Sequence, residues 1–523
     1  MWNNNIDWRI IMIEYSSKED VHNRAKDAVG LSMQEIYESN SRYDANPKNK
    51  NYVGDAFELW MGVEKNSRSE ADIADLGVEL KATPYKFVKS RKKSDNKQLV
   101  SAKERLVLNI INYMDEAKAT FDTSSFSHKD KLMELIFYNH NTEKPKTEWT
   151  FDEAILFSFP EKDLEIIKHD WEIIHQAILD GKAHELSEGM TDYLGACTKG
   201  TSKKTVRKQP FSNIKAKQRA YSLKAAYMTS LLRNYVFGDK HDPAIRKERY
   251  ETQSEKDTNP IETEEIATAN ELKNESLDNI ILRKINSFKG KSVADLKKEF
   301  GIKKTSSSKQ LNSIIIARML GLKGNSANSA EEVQKAGIKI KTISLNPNNS
   351  VKEHMSFPKF KFKELINQSF EDSVFYDELS RRFLFAVFKN LKKDKPKDEE
   401  IIFIGAKFWH LPNKDLPIIE SVFNDTIATA KNGVHLRVTK NRVYNNFISA
   451  KEERIAHVRP HEQKSQYVKG DYSDELPTPA IWENRPDDND KYDPSGLYMT
   501  RQSFWLNSDY IGKQITDILS KID

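Results

Sequence analysis

Within the stretch EADIADLGVELKATP, residues 70–84, Asp72 precedes Glu79 by seven positions and Lys81 follows Glu79 by two. In a strand, residues two apart share a face. Glu79 and Lys81 therefore project together, while Val78, Leu80 and Ala82 point to the opposite side. Asp72, on the loop or strand before, can come round to meet them. Two carboxylates and a strand carbonyl make an oxygen cage suited to magnesium, which keeps most of its waters. A neighbouring lysine holds or helps to deprotonate a water, and the metal stabilises the charge that builds on a phosphate under in-line attack. Glu58, on the helix predicted over GDAFELW, adds a further acid reaching the same metals. A bare E-x-K is weak in a chain this rich in Glu and Lys. The spacing to Asp72 and the apolar residues around it give the pattern more weight.

These residues need a sheet and a helix to hold them, and the sequence supplies that plan twice. VGLSMQEI begins a segment running to DLGVELKAT, and FKGKSVADL begins one running to KAGIKIKT. Gly30 and Gly290 are 260 residues apart, and so are Gly77 and Gly337. LWMGVEKNS faces RMLGLKGNS, with Gly62 and Gly321 at an offset of 259. Pro160, Leu164 and Gly181 match Pro412, Leu416 and Gly433, all at 252. Each copy reads as α/β. The first has a capped helix, a loop, a strand pair (GVELKAT, then RLVLNIINY), an apolar strand (MELIFY) and a long amphipathic helix after a PxKDL turn. The proline-interrupted, charged stretch 239–275 reads as a linker. The expected division is 1–238, linker 239–275, and 276–523.

The second copy is an internal control on the first. Glu79 becomes Lys339, Lys81 stays lysine as Lys341, and Asp72 lands on Glu332. Glu58 falls on Ala317 or Arg318, according to where the one-residue gap lies. One working site and one disabled site fit that pattern.

Composition bounds the setting. The 83 basic and 78 acidic residues leave a net charge of +5, which permits an anionic partner without demanding one. A single cysteine, Cys197, excludes an intramolecular disulfide and a CxxC zinc site. No run of about 18 apolar residues occurs and the N-terminus is a poor signal peptide, so a cytoplasmic protein is expected.

GDAFELWMG followed by DIADLGVELKATP resembles the MutH-like endonucleases, in particular the Sau-type restriction enzymes that cut at GATC. The resemblance continues through KERLVLNIINY and KQRAYSLKAAYMTSLLRNY, and in the second half through HVRPH and MTRQSFWLNSDYI. It implies two tandem PD-(D/E)xK restriction-endonuclease-like domains, each a mixed β-sheet flanked by helices, the first catalytic and the second inactive. It further implies a type II restriction endonuclease that needs Mg2+ and cuts both strands before the G of GATC, leaving 5′-phosphates. The family's metal-binding acids fall on Glu58, Asp72 and Glu79, and its catalytic lysine on Lys81. A second active-site lysine falls on Lys131, with Lys129 as the neighbouring alternative. The other readings are a MutH-type strand nickase and a non-catalytic GATC-binding regulator.

Reading a four-base site requires phosphate contacts for register and base-edge contacts for sequence. Residues 197–224, CTKGTSKKTVRKQPFSNIKAKQRAYSLK, are strongly basic with aromatics and a proline between. Lys199, Lys203, Lys204, Arg207 and Lys224 are the candidates there, some for phosphates and some for guanine edges. In HVRPH, Arg459 stands where the family has a DNA-contact arginine, so the second domain is expected to bind DNA without cutting it. The pair His457 and His461 has no third metal ligand close by. Trp482, Tyr498 and Trp505 are assigned to the core. One active site per chain must still cut a palindrome, which suggests a monomer that pairs its catalytic domains on DNA. A cognate methyltransferase belongs to such a system without being a direct partner.

Overall fold

Ser32 and Ser292 open equivalent helices, Met33–Ser39 and Val293–Glu299, with the same device. In each, the serine hydroxyl accepts the backbone N–H three residues on, and that residue's carboxylate (Glu35 or Asp295) returns to the serine N–H. Just before them, Gly30 and Gly290 take φ values of 92° and 87°, and each donates at 2.8 Å to a strand carbonyl, of Phe151 and of Phe403. The computed structural model describes residues 13–520 apart from 42–44, 64–69, 90–97, 201–204, 238–263, 304–307, 441, 453 and 486–490.

Packing divides the chain into two compact units. The first runs to Ile280 and takes in Ser329–Gly337; the second comprises Ile281–Asn328 and Ile338–Asp523. In the first unit the sheet that matters runs β2-β1-β4-β5, with β1 at Glu79–Lys89, β2 at Gln98–Ala102, β4 at Leu132–Asn139 and β5 at Phe151–Ser158. β1 lies parallel to β4, with Glu79 opposite Met133 and Lys81 opposite Leu135. Burial of β4 on both faces follows from its run of Met133, Leu135, Ile136 and Phe137, all fully enclosed. A second sheet, β3-β9-β6, contains β3 (Leu106–Ile110), β6 (Leu194–Thr198) and β9 (Arg219–Leu223). RLVLNI therefore does not pair with GVELKAT as expected; the partner of β1 on that side is the QLVSA of β2. Alternation alone cannot choose between two nearby apolar strands.

The second unit repeats the sheet. β10 (Lys339–Leu345) lies parallel to β12 (Phe383–Asn390), which pairs antiparallel with β13 (Ile401–Trp409); β11 (Met355–Lys359) belongs to a separate sheet. Lys339 opposes Phe383 and Lys341 opposes Phe385, the register of Glu79 and Lys81 on β4. Irregularities fall at equivalent places too, between Phe137 and Tyr138 and between Val387 and Phe388.

Two features depart from the expected division. Residues 239–263 of the stretch read as a linker lie outside the described residues, but 264–275 are built into the first unit. Thr268 and Glu271 form a capping box, the helix Ala269–Asn274 buries Leu272, and Lys273 pairs with Glu161 at 2.6 Å. Secondly, the second copy's acid segment, helix Glu331–Ala336, also packs within the first unit. Lys335, 4% exposed, reaches both carboxylate oxygens of Asp163 at 2.8 Å. Glu332 accepts from the backbone N–H groups of Ile266 and Ala267 and pairs with Lys162 at 2.8 Å.

Candidate active site

The strand that carries Glu79 and Lys81 is prepared by a tight turn. Ala74–Leu76 form a single helical turn that ends on Gly77, whose φ of 63° is open to glycine at little cost. Ile73 and Val78 exchange backbone hydrogen bonds at 3.0 and 3.2 Å, which closes the loop and returns Asp72 alongside the strand. The Asp72 N–H then donates to Glu79 Oε2 at 3.1 Å, and the Leu80 N–H donates to Asp72 Oδ2 at 3.0 Å. Beneath them Val78 and Leu80 join Tyr52, Val53, Ala56 and Phe57 of the helix Tyr52–Trp60 in one core. The division of faces expected for β1 is the one observed.

Glu79 is buried, with 1% of its surface exposed, and its Oε1 is the ion-pair partner of both Lys81 and Lys129, the latter at 3.5 Å. Burial raises the Glu79 carboxyl above its usual range, against the opposing charge of Lys81. Burial alone would pull the Lys81 ammonium down. Glu79, Asp130 and Asp72 together outweigh it, so Lys81 holds its proton more firmly than a free lysine.

Lys129 and Asp130 come from the short helix Ser125–Lys129, whose N-terminal N–H of Ser127 is capped by Ser124 at 3.1 Å. Lys129, the last helical residue, is the second lysine at Glu79. Lys131 is exposed, and among the described residues it makes no ion pair. Of the two lysines considered for this place, Lys129 is the one that reaches Glu79. Near the start of a strand, side chains two apart would share a face, but the helix ends between these two and sends them different ways.

Asp130 was missed by sequence reasoning. It is fully enclosed, and its carboxyl is pushed up to about 7 by burial, with Lys81 opposing. Neither of its oxygens has a hydrogen-bond partner. Buried carboxylate oxygens without donors are exceptional and are the kind of group that a cation or an ordered water satisfies. Asp72 and Glu79, which meet here, are both carboxylates, hard oxygen donors of the kind that suits a hard divalent cation. The structure does not gather Glu58, Asp72 and Glu79 into one ligand group: among the described residues, no three acidic, histidine or cysteine side chains are close enough together to hold a metal. Glu58 is half-buried on the helix that packs against β1, while Asp72 and Glu79 meet.

The nucleic-acid candidates divide in the same way. Lys199 is exposed at the end of β6. Lys203 and Lys204 lie outside the described residues. Arg207 is on β7 (Val206–Gln209) and donates from Nε to Gln218 at 2.8 Å. Lys224 turns inward to the Thr191 carbonyl and lies close enough to Asp170 to oppose its rise, so it is half-buried structure rather than an open contact. β7 forms a hairpin with β8 (Ser212–Lys217), and at its turn Phe211 has φ 60° and stands 75% exposed. An exposed phenylalanine between lysines is a surface for stacking, and QPFS was the available signal. In the second unit Arg459 is exposed and its guanidinium lies 4.5 Å from the centre of the Trp505 ring. Trp505 is thus half-buried and carries Arg459, whereas Trp482 packs on the core. His457 is buried and its pKa falls to about 4 by burial, while His461 Nδ1 bonds Ser503 Oγ at 2.6 Å.

Two copies of one sheet, one bearing an acid–acid–lysine cluster, define a nuclease of a recognisable kind. The model of the family "DNA mismatch repair enzyme MutH" matches residues 61–170 and again 320–421. The type II restriction enzyme Sau3AI of Staphylococcus aureus is 42% identical over 530 aligned positions, covering 97% of this chain and all of that protein. The DNA mismatch repair protein MutH of Vibrio campbellii is 25% identical, covering 43% of this chain and 96% of its own length. That of Shewanella woodyi is 26% identical, covering 41% and 90%. The chain belongs to the MutH-like type II restriction endonucleases. Within them it is similar over nearly its whole length to Sau3AI, and over less than half of it to MutH. Among the described residues, no helix is long and apolar enough to cross a membrane.

Proposed function

We propose that this endonuclease cuts double-stranded DNA before the G of GATC, with magnesium, in the first unit, and that the second unit binds DNA as an effector. The observation that carries the reading is the contrast at one register position: Glu79 with Asp72 beside it in the first copy, Lys339 in the second.

Enzymes of this class use a divalent metal, here magnesium, which Asp72 and Glu79 would hold and which supplies Lewis acidity toward the phosphate. The protein's own contribution can be followed atom by atom. Asp72 is fixed by the Leu80 N–H, so its free oxygen is aimed without loss of rotamer freedom. Lys81 keeps its proton and acts in the free enzyme as a cation that orients a water and offsets charge developing on the phosphate. Lys129 adds a second positive charge on the same carboxylate oxygen. Lys199, Arg207 and the Phe211 hairpin would give the phosphate and base contacts of the first unit, and Arg459 on Trp505 those of the second. With one such cluster per chain, cutting both strands of a palindrome calls for a protein that is monomeric alone and pairs its first units on DNA.

The test is cleavage of unmethylated supercoiled plasmid with magnesium, with Glu79→Ala alongside. The expected result is fragments with 5′-phosphate ends at GATC, absent from the variant. Fragments ending elsewhere would overturn the specificity, and a reaction that stops at nicked circles would favour the nickase. Sedimentation with and without a GATC duplex tests the pairing: a monomer in both cases removes it.

A further inference from the structure

We infer that Phe211, at the tip of the β7–β8 hairpin, is a wedge that enters between two stacked base pairs of the duplex and kinks it. This rests on the reading that the first unit binds DNA, and deepens it by saying what the tip does there.

The backbone of the tip does not suit the residue it carries. Gln209 pairs with Ser212, so Pro210 and Phe211 form a two-residue turn. A proline followed by a residue of positive φ is the order of a type II turn, whose second place favours glycine. Here that place holds Phe211 at φ 60°. The side chain gains no packing in return, since it stands 75% exposed. Strain without packing points to a residue kept for what it meets outside the fold.

The turn is fixed at its base. Gln209 is buried; its Oε1 accepts the Ala183 N–H at 2.7 Å, and its Nε2 donates to the Ile214 carbonyl. Behind the tip, a Cβ at Gly181 would lie 2.7 Å from the Phe211 carbonyl oxygen, so the main chain of the turn rests directly on that glycine. A ring mounted on so firm a base enters a stack with little freedom left to lose.

The surroundings choose the partner. Val206 and Ile214, on the same two strands, are exposed as well. So are Lys208, Lys215 and Lys217, none of which pairs with an acid among the described residues. No acid occurs anywhere from residue 197 to 224. Interfaces between proteins are depleted in lysine, so an apolar tip on a lysine-rich hairpin is a poor match for one. It matches a duplex: the lysines meet phosphates, and the phenyl ring, which has no hydrogen-bonding group, meets the faces of unstacked bases.

The test uses the full chain with calcium in place of magnesium, and a short GATC duplex carrying a dye at each end. Energy transfer between the dyes reads the kink, and titration at several salt concentrations reads affinity and its salt slope. Wild-type protein should bring the ends together by a kink of about 20–90°. Phe211→Gly should melt no lower than the wild type, because glycine suits the turn. It should nevertheless bind about tenfold more weakly, with an unchanged salt slope and without the kink. Phe211→Leu, which keeps an apolar wedge, should kink the duplex as the wild type does. Lys215→Gln/Lys217→Gln should keep the kink and flatten the slope by about 0.9 per lost phosphate contact. A wild-type chain that does not bind the duplex would overturn the DNA-binding reading and this inference with it. A duplex left straight by the wild type, or kinked equally by Phe211→Gly, would overturn this inference alone. So would a Phe211→Gly chain that binds and kinks normally but no longer pairs with a second chain, which would make the tip a contact between copies.

Discussion

Strands β1 and β10 share their register, their glycine turn and their lysine, and differ where β1 has the buried Glu79 and β10 the half-buried Lys339. In β1 the buried Glu79 costs stability, since burial raises its carboxyl and Asp72 beside it adds repulsion. That cost is offset by Lys81 and Lys129, and a protein keeps such an arrangement where chemistry needs it. In β10 the same position carries Lys339, half-open and paired with Glu378. The difference teaches that the sheet itself does not require an acid there. A residue that one copy retains at a cost and the other discards without loss of fold is the one to test for function.

The largest effect expected from breaking this asymmetry is on cleavage. Glu79→Ala removes a carboxylate that would hold the metal, and the rate should fall by about 10^4-fold, roughly 5 kcal/mol of barrier. Single-turnover cleavage measures it, and a fall of less than tenfold would exclude Glu79 from the site. Among the lysines, Lys129→Ala should slow cleavage by about 10^2-fold while Lys131→Ala leaves it nearly unchanged, because only Lys129 reaches Glu79. Equal losses would return Lys131 to the site.

The segments before the two strands carry the next effect. Around Asp72 the segment serves the site; its counterpart, Glu331–Ala336, serves the packing of the first unit through Lys335 and Asp163, both nearly enclosed. Lys335→Ala should lower stability by about 3–4 kcal/mol, because it leaves Asp163 buried without its counter-charge, with the Tyr227 hydroxyl still donating to it at 2.9 Å. Urea unfolding of the first transition reads this, and an unchanged midpoint would mean that the segment is only lightly held.

Much of this was legible in the sequence because duplication supplied a comparison. The glycines at one offset marked the turns, and the D-x6-E-x-K spacing picked out three side chains that the fold brings together. Alternation placed Val78 and Leu80 in the core opposite Glu79 and Lys81, as observed. What was not legible depended on contacts far along the chain. Nothing local tells that QLVSA rather than RLVLNI pairs with β1, or that residues 264–275 and 331–336 fold onto the first unit. Lys129, Asp130 and Lys131 are three consecutive charged residues, and only the end of a short helix sorts them into a site lysine, a buried acid and an exposed lysine. Lys224 looked like a phosphate contact by composition, and its inward turn to the Thr191 carbonyl has no sequence signal.

Asp130 has no acidic counterpart in the second copy, and it offers a prediction of intermediate size. Its carboxyl is raised from 3.8 to about 7, so between those values the folded protein binds a proton that the unfolded chain does not. Stability from this group is therefore present at low pH and is lost as pH rises through about 7. Asp130→Asn should stabilise the metal-free protein at pH 8 relative to pH 5 by about 2–3 kcal/mol, read from thermal melts. A variant whose melting shifts equally at both pH values would show that Asp130 is ionised throughout.

The smallest effect compares the two turn glycines. Gly77 and Gly337 have φ values of 63° and 66°, so alanine at either is strained by the left-handed backbone, at about 1 kcal/mol. Their surroundings differ. A Cβ at Gly77 meets nothing within 4 Å, while one at Gly337 comes within 2.9 Å of the Ala226 Cβ. Gly77→Ala should therefore cost only the backbone term and, by disturbing the Ile73–Val78 closure, slow cleavage more than it lowers stability. Gly337→Ala should cost more in stability, because helix Ala225–Leu231 must shift, and should leave single-turnover cleavage unchanged. Two variants with the same pair of losses would mean that the turns are interchangeable, and that the site depends on the acids of β1 without any help from the loop that aims Asp72.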